Sequence, residues 1–303
     1  MRLSVRHTEQ FTFPAPVLGT IQVARLTPKD HNGHYVCNWT VEVDADCQTS
    51  EHTDAFGNIV TTFSVAGPLD GLTLRAFGEV ETEQNHGIIR GTNDKVPHGV
   101  FLRPDATDGP VAVASLILSL LKTPDRESIA QLHEAKDVLH LALKTVSPDV
   151  DHTHQHKRSK DEQSKTNGQR QDQSSDATDT EEMTARIASA LVQHRLTEPD
   201  DYASVFCELA RQMGHPARLV SGYRLAGEDS LEKDQRDVWA EALLDDLGWI
   251  GFDLKSGTCP SEDAVRVAVG LDAPSIAPLR FSHHGAAEPG EQQTSILLRR
   301  IAT

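Results

Sequence analysis

The sequence predicts an α+β chain: an antiparallel, sandwich-like β domain followed by helices packed on a second antiparallel sheet. Three observations carry this. Apolar and polar residues alternate through much of the first hundred residues. Helical spacing takes over from about residue 111. After an amphipathic segment near residue 200, four short strand-like segments follow one another closely.

Tyr35, Cys37, Trp39, Val41 and Val43 alternate with Asn38, Thr40 and Glu42, the period of a strand with one buried face. Leu72, Leu74, Ala76 and Val80 alternate with Thr73, Arg75 and Glu79 in the same way. Residues 59–65 make a third strand, entered through the turn Asp54-Ala55-Phe56-Gly57-Asn58, whose Gly-Asn pair suits positive φ. These segments place the β domain over residues 1–90. Residues 91–150 supply the first helices, at 111–122 and 128–145. The second puts Ile129, Leu132, Ala135, Leu139, Ala142 and Leu143 on one face.

From Asp151 to Glu182 there is no Val, Ile, Leu, Met or aromatic residue. Such a segment buries too little surface to offset its ordering entropy, so 151–182 is expected to be a disordered polar insert. Order is expected to resume over 183–303. One helix runs from Met183 to about Leu196. A second opens near Pro199, carries Ala203, Phe206, Cys207 and Ala210 at helical spacing, and stops at Gly214 with Pro216 just beyond. Strands are expected at 218–225, 237–244, 249–255, 265–270 and 294–301.

The chain has 303 residues, with 45 acidic against 29 basic side chains. That excess disfavours a nucleic-acid backbone or an anionic membrane as partner. The N-terminus MRLSVRHTEQ lacks an apolar signal core, and no stretch reaches the length of a membrane span. A cytoplasmic location is therefore expected. Cys37, Cys47, Cys207 and Cys259 are widely and irregularly spaced, which reads as buried or incidental reduced thiols. His152, His154 and His156 alternate in the polar insert without a second ligand set, and His283-His284 reads as surface. No metal site or cofactor is expected.

Several runs resemble the bacterial transglutaminase-like family. Its N-terminal β domain is suggested by LSVRHTEQFTF, LTPKDHNG, WTVEVDAD, DAFGN and GPLDGLTLRAFGEVET. Its catalytic core, of papain-like fold, is suggested by DYASVFCELARQMGHPARLVSGYRL, VWAEALLDDLGWIGFD and DAVRVAVG. The resemblance implies a core built for a Cys-His-Asp triad. There the cysteine opens a helix, the histidine takes its proton and the aspartate orients the histidine. Counting from Asp201-Tyr202-Ala203, the cysteine position is Pro199. Counting from Trp239-Ala240-Glu241, the histidine position is Asp237. The third position retains an acid, Asp253. After the last Val-Gly strand the chain reads Leu271-Asp272-Ala273, where the family carries Arg-Asp-Tyr.

The chemistry follows from these residues. Proline has neither a thiol nor a backbone N–H for an oxyanion, although it suits the first turn of a helix. An ionised aspartate is no substitute for a paired imidazole, and Asp237 and Asp253 are expected to face and repel each other, with one turned to water. Cys207 lies on the apolar stripe of its helix as a core thiol. Cys259 has no nearby histidine in sequence to activate it. The expectation is a catalytically degenerate transglutaminase-like protein, retained as a peptide- or protein-binding or regulatory module. The alternatives are an active cysteine-type peptidase, amidase or acyltransferase with a relocated nucleophile, and a purely structural partner of another protein.

Overall fold

The computed structural model describes residues 1–92, 94–121, 128–146, 173–225, 236–285 and 290–301. Two antiparallel sheets organise them. The first is built on two long neighbours, β1 (Arg2–Thr27) and β4 (Ile59–Thr82). The free edge of β4 carries β2 (His34–Val43) and β3 (Cys47–Thr53) end to end. The free edge of β1 carries β10 (Leu279–His284) and β11 (Glu291–Ile301).

The division of β1 has a local cause. Its register on β4 shifts between Thr12 and Gly19, the stretch that contains Pro14 and Pro16. Proline gives no ladder N–H, so pairing breaks there and the strand bends. β11 follows β1 only as far as Thr12, and β10 takes over at Gly19. Gly67 sits at the matching bend of β4, where a Cβ would lie 2.1 Å from the Val17 carbonyl oxygen.

The second sheet runs β5 (Ile88–Ile89), β8 (Gly248–Phe252), β7 (Arg236–Leu244), β6 (Ala217–Arg224) and β9 (Ala264–Gly270) in spatial order. The helix α4 (Pro199–Gln212) packs on one face. Val238, Ala240, Ala242 and Leu244 join the buried cluster that holds Phe206, Leu209 and Ala210 of α4. The helices α1 (Asp108–Leu120), α2 (Ser128–Val146) and α3 (Gln173–Gln193) enclose α4 through Ile117, Leu139 and Leu191. At the far side, Tyr223, Val265 and Val267 pack on Leu3, Val5, Val80 and Leu298 of the first sheet. Burial on both faces explains why these strands read as near-continuous apolar runs.

Two polar contacts fasten the sheets. Asp54 Oδ1 accepts the backbone N–H groups of Phe56 (3.0 Å) and Asn58 (2.9 Å), closing the DAFGN turn. Asn58 then pairs with the backbone of Val269 in both directions, at 2.7 and 2.9 Å. On the other contact His7 bonds Tyr223 (2.9 Å) and Glu9 (2.7 Å), all three side chains buried.

The sequence reading is amended at several places, first in that the strands expected at 59–65 and 72–80 are one continuous strand, β4. β1 and β3 are strands beyond those expected. The C-terminal strands β10 and β11 complete the first sheet, so 279–301 does not belong with the core as the 183–303 division had it. The backbone is already helical at Gln173, ten residues before the expected start at Met183. A helix once nucleated by the buried Ile187 and Leu191 gains one hydrogen bond per added residue, and needs no apolar side chain to extend. The remainder of the polar insert, 151–172, lies outside the described residues, with His152, His154 and His156. Finally, Leu271-Asp272-Ala273 opens a short helix, α5 (Ala273–Ile276), with Asp272 as its cap on the Ser275 N–H at 2.9 Å.

Because β11 covers eleven register positions of β1, we expect residues 1–92 alone to fail to fold cooperatively. Adding a synthetic 279–301 peptide should restore β structure by circular dichroism. A cooperatively folded 1–92 fragment would show that the C-terminal strands are dispensable.

Candidate functional site

The start of α4 is made of carboxylates and proline. Glu198 is the N-cap, Pro199 follows at the first helical position, and Asp201 closes a capping box. Asp201 Oδ2 accepts the backbone N–H groups of Thr197 and Glu198, both at 3.0 Å. This arrangement satisfies orphan donors and complements the helix dipole. Pro199 itself is exposed.

The strand β7 meets this end of the helix. Arg236 pairs with both carboxylate oxygens of Asp200, at 3.0 and 3.1 Å. Its neighbour Asp237 lies directly opposite Gly222 of β6. With no side chain at Gly222, the next residue on that face of β6, Arg224, reaches Asp237 diagonally. Arg224 Nε donates to Asp237 Oδ2 at 2.8 Å, and its Nη1 lies 3.0 Å from Asp253 Oδ2. Asp263 completes the surround at 3.9 Å.

The expected repulsion between Asp237 and Asp253 is offset in part by a shared cation, and neither carboxylate is simply turned to water. Asp253 is 1% exposed and holds the loop that follows β8. It accepts the backbone N–H of Lys255 at 2.9 Å and the hydroxyl of Ser256. Burial, then the charge of Asp253, push the Asp237 carboxyl up to about 6, against the pull of Arg224. The three carboxylates hold the Arg224 guanidinium above its ordinary value although burial opposes them.

Two thiols lie in the core region. Cys207 is fully buried on α4, and burial pushes its thiol up to about 12. Burial also raises Cys259. Among the described residues neither thiol is hydrogen-bonded to a histidine. Thiolate is the nucleophilic form, so both shifts oppose reactivity. Cys37 is exposed and Cys47 half-exposed rather than buried, and all four cysteines are free. His283 packs beside Phe281 and Phe13, while His284 is exposed. Among the described residues no three His, Cys, Asp or Glu side chains are grouped to hold a metal ion.

A second buried network centres on Glu241, four residues along β7 from Asp237, and was not singled out in the sequence. Glu241 receives Arg218 at 2.7 Å and Arg266 at 2.7 and 3.0 Å. Arg218 also bonds Asp94 at 2.7 Å and stacks on Trp249, 3.6 Å from the ring centroid. Burial alone would raise the Glu241 carboxyl, but Arg266 and Arg218 bring it down to about 2. The glutamate of Trp-Ala-Glu thus ties three strands of the core sheet together.

Residues 3–81 match the family model for the bacterial transglutaminase-like N-terminal region, and residues 151–254 match that of the transglutaminase-like superfamily. The uncharacterized protein ML0607 of Mycobacterium leprae (strain TN) is 24% identical over 295 residues, covering 95% of each chain. Among solved structures, a candidate cysteine protease from Cytophaga hutchinsonii superposes with a TM-score of 0.63 at 13% identity. That match covers 100% of this chain and 92% of the other, and at this identity it speaks for the fold.

Two expected outcomes test the site. Arg224→Met leaves Asp237 and Asp253, 13% and 2% exposed as side chains, without their cation. We expect a loss of about 3–5 kcal/mol by urea denaturation at neutral pH, the usual result of breaking a buried pair. A change within experimental error would mean the bridge is idle. The second concerns pH. Asp237 has a folded pKa above its unfolded value, so the native state takes up a proton between about pH 6 and pH 4 before the unfolded chain does. Its contribution therefore moves toward stability as pH falls from 7 to 5. Relative to Asp237→Asn, the wild type should gain stability over that interval. A constant difference between the two proteins would contradict the raised pKa.

The chain thus carries a bacterial transglutaminase-like N-terminal region followed by a transglutaminase-like core.

Proposed function

We propose that this protein is a catalytically degenerate transglutaminase-like module that binds a peptide or protein segment, or regulates a partner, without cleaving or transferring an acyl group. The observation that carries the reading is Arg224. Its guanidinium bridges Asp237 and Asp253, the two residues that the family motifs align with the histidine and aspartate of a triad. A guanidinium stays protonated and cannot accept the proton of a nucleophile. It also holds Asp253 in a pair that an imidazole would otherwise need for orientation.

The start of α4 supports the same reading. Pro199 offers neither sulfur nor an N–H for an oxyanion, and the capping carboxylates Glu198 and Asp201 would raise the pKa of a thiol beside them. The residues near this helix start favour a stable fold over an activated nucleophile. A peptide or protein is the ligand class we favour, in keeping with the likeness in fold to a candidate cysteine protease.

The test rebuilds the triad stepwise. Pro199→Cys supplies a thiol, Asp237→His an imidazole, and Arg224→Gln frees Asp253 to orient it. Labelling of residue 199 by iodoacetamide at neutral pH should be about tenfold faster in the triple variant than in Pro199→Cys alone, as expected for a thiol whose pKa falls toward neutrality. The Pro199→Cys, Asp237→His variant should fall between them. Equal rates in all three would remove Asp237 from the histidine position.

A further inference from the structure

The turn 54–58, β1, β10 and the short helix α5 enclose an open pocket of about 360 Å³ at the junction of the two sheets. That volume lies within the range of small-ligand sites. Its walls include two arginines, Arg25 and Arg280, together with Phe56 and Pro274. Two acids also line it, but both are engaged. Asp54 Oδ1 closes the DAFGN turn, and its Oδ2 receives Arg25 Nε at 3.2 Å and Asn58 Nδ2 at 3.1 Å. Asp272 caps α5 through the Ser275 N–H and hydroxyl.

The arginines are only partly engaged. Arg25 Nη1 is shut off from solvent without a partner. Its Nε is taken by Asp54, so Nη2 is the guanidinium nitrogen left to meet the open space. Arg280 is exposed, and among the described residues it has no ion-pair or hydrogen-bond partner. Arg280 pairs with Val23 in the ladder, two positions from Arg25 along β1, so the two guanidinium groups rise from adjacent strands. Arg280 offers a planar, bidentate fork and Arg25 Nη2 a further single donor, a set that suits a carboxylate. The half-buried Phe56 ring and Pro274 offer an apolar flank beside it.

We propose that this pocket is a binding site for a carboxylate carried next to an apolar group, as at the end of a peptide chain or on an acidic side chain with an apolar neighbour. The site is separate from the Arg224 bridge and stands whether or not that region binds a peptide. A chain with 45 acidic and 29 basic side chains repels anions at long range. Recognition here depends on short-range hydrogen bonds rather than on steering.

The test uses the full chain and N-acetylphenylalanine, with N-acetylphenylalaninamide as its uncharged counterpart. Binding is followed by calorimetry and by NMR shifts of the arginine side chains. The acid should bind saturably and the amide at least tenfold more weakly. Arg280→Ala should weaken the acid about tenfold, the scale of one lost hydrogen bond to a charged group. Arg280 is exposed, so the fold should be unaffected, whereas Arg25→Gln also breaks the Asp54 pair and needs a melting curve beside it. The α-amide of N-acetylglutamate, whose single carboxylate is on the side chain, separates the two sources. Tighter binding than N-acetylphenylalanine identifies an acidic side chain, and weaker binding a chain terminus, both supporting a carboxylate site. Equal binding of acid and amide, no binding of any of the three, or unchanged affinity in Arg280→Ala would overturn the assignment.

Discussion

One guanidinium holds the region where the chemistry of this fold would be expected. Arg224 leaves the end of β6 and meets Asp237 on β7 and Asp253 in the loop after β8, so a single cation joins three consecutive pieces of the core sheet. Two buried carboxylates this close are tolerated only when a cation accompanies them or one is protonated. Here the cation is built in. The local arrangement follows from it: Gly222 leaves room opposite Asp237, and Asp253 turns its remaining lone pairs to Lys255 and Ser256. At the adjoining helix start, Arg236 and Asp200 form a further pair. Arg224 and Arg236 are both paired with carboxylates, so neither guanidinium is left to lower the pKa of a nucleophile.

The surrounding scaffold places this bridge by burying the core sheet on both faces. α4 covers one side through Phe206 and Leu209, and the first sheet covers the other through Leu3, Val5 and Leu298. The contacts between sheets are specific as well as apolar. Asn58 exchanges two hydrogen bonds with Val269, and the network of Glu241 with Arg218 and Arg266 crosses β6, β7 and β9. The buried Glu241 carboxylate, bonded to two arginines, links three neighbouring strands of the core sheet.

Much of this was legible in the sequence because it is written in local periodicity. The alternation at 35–43 and 72–80, the amphipathic α4 with Pro199 and Gly214 at its ends, and the apolar runs of β6 to β9 all depend on neighbours close in the chain. What escaped depends on distant partners. β1 was hidden by Pro14 and Pro16, which interrupt its pattern at the point where it bends. β10 was not expected, and β11 was expected over 294–301 without its place in the first sheet, which is set by pairing with residues of β1 nearly three hundred positions away. The extension of α3 back to Gln173 carries no apolar signature at all. At the site, aligned motifs pointed to Pro199, Asp237 and Asp253, while Arg224 went unremarked within Ser-Gly-Tyr-Arg. Its partners lie 13 and 29 residues further on, and only the pairing of β6 with β7 brings them into reach.

The central claim is that the wild-type chain lacks cysteine-dependent acyl chemistry. Its most direct test is a single assay on the unmodified protein: release of ammonia or amine from glutamine-containing and general peptide substrates, before and after alkylation of Cys37, Cys47, Cys207 and Cys259 under conditions that open the fold and then restore it. The account expects no turnover above the uncatalysed background in either sample. Turnover in the untreated protein that alkylation abolishes would establish a relocated thiol nucleophile and contradict it.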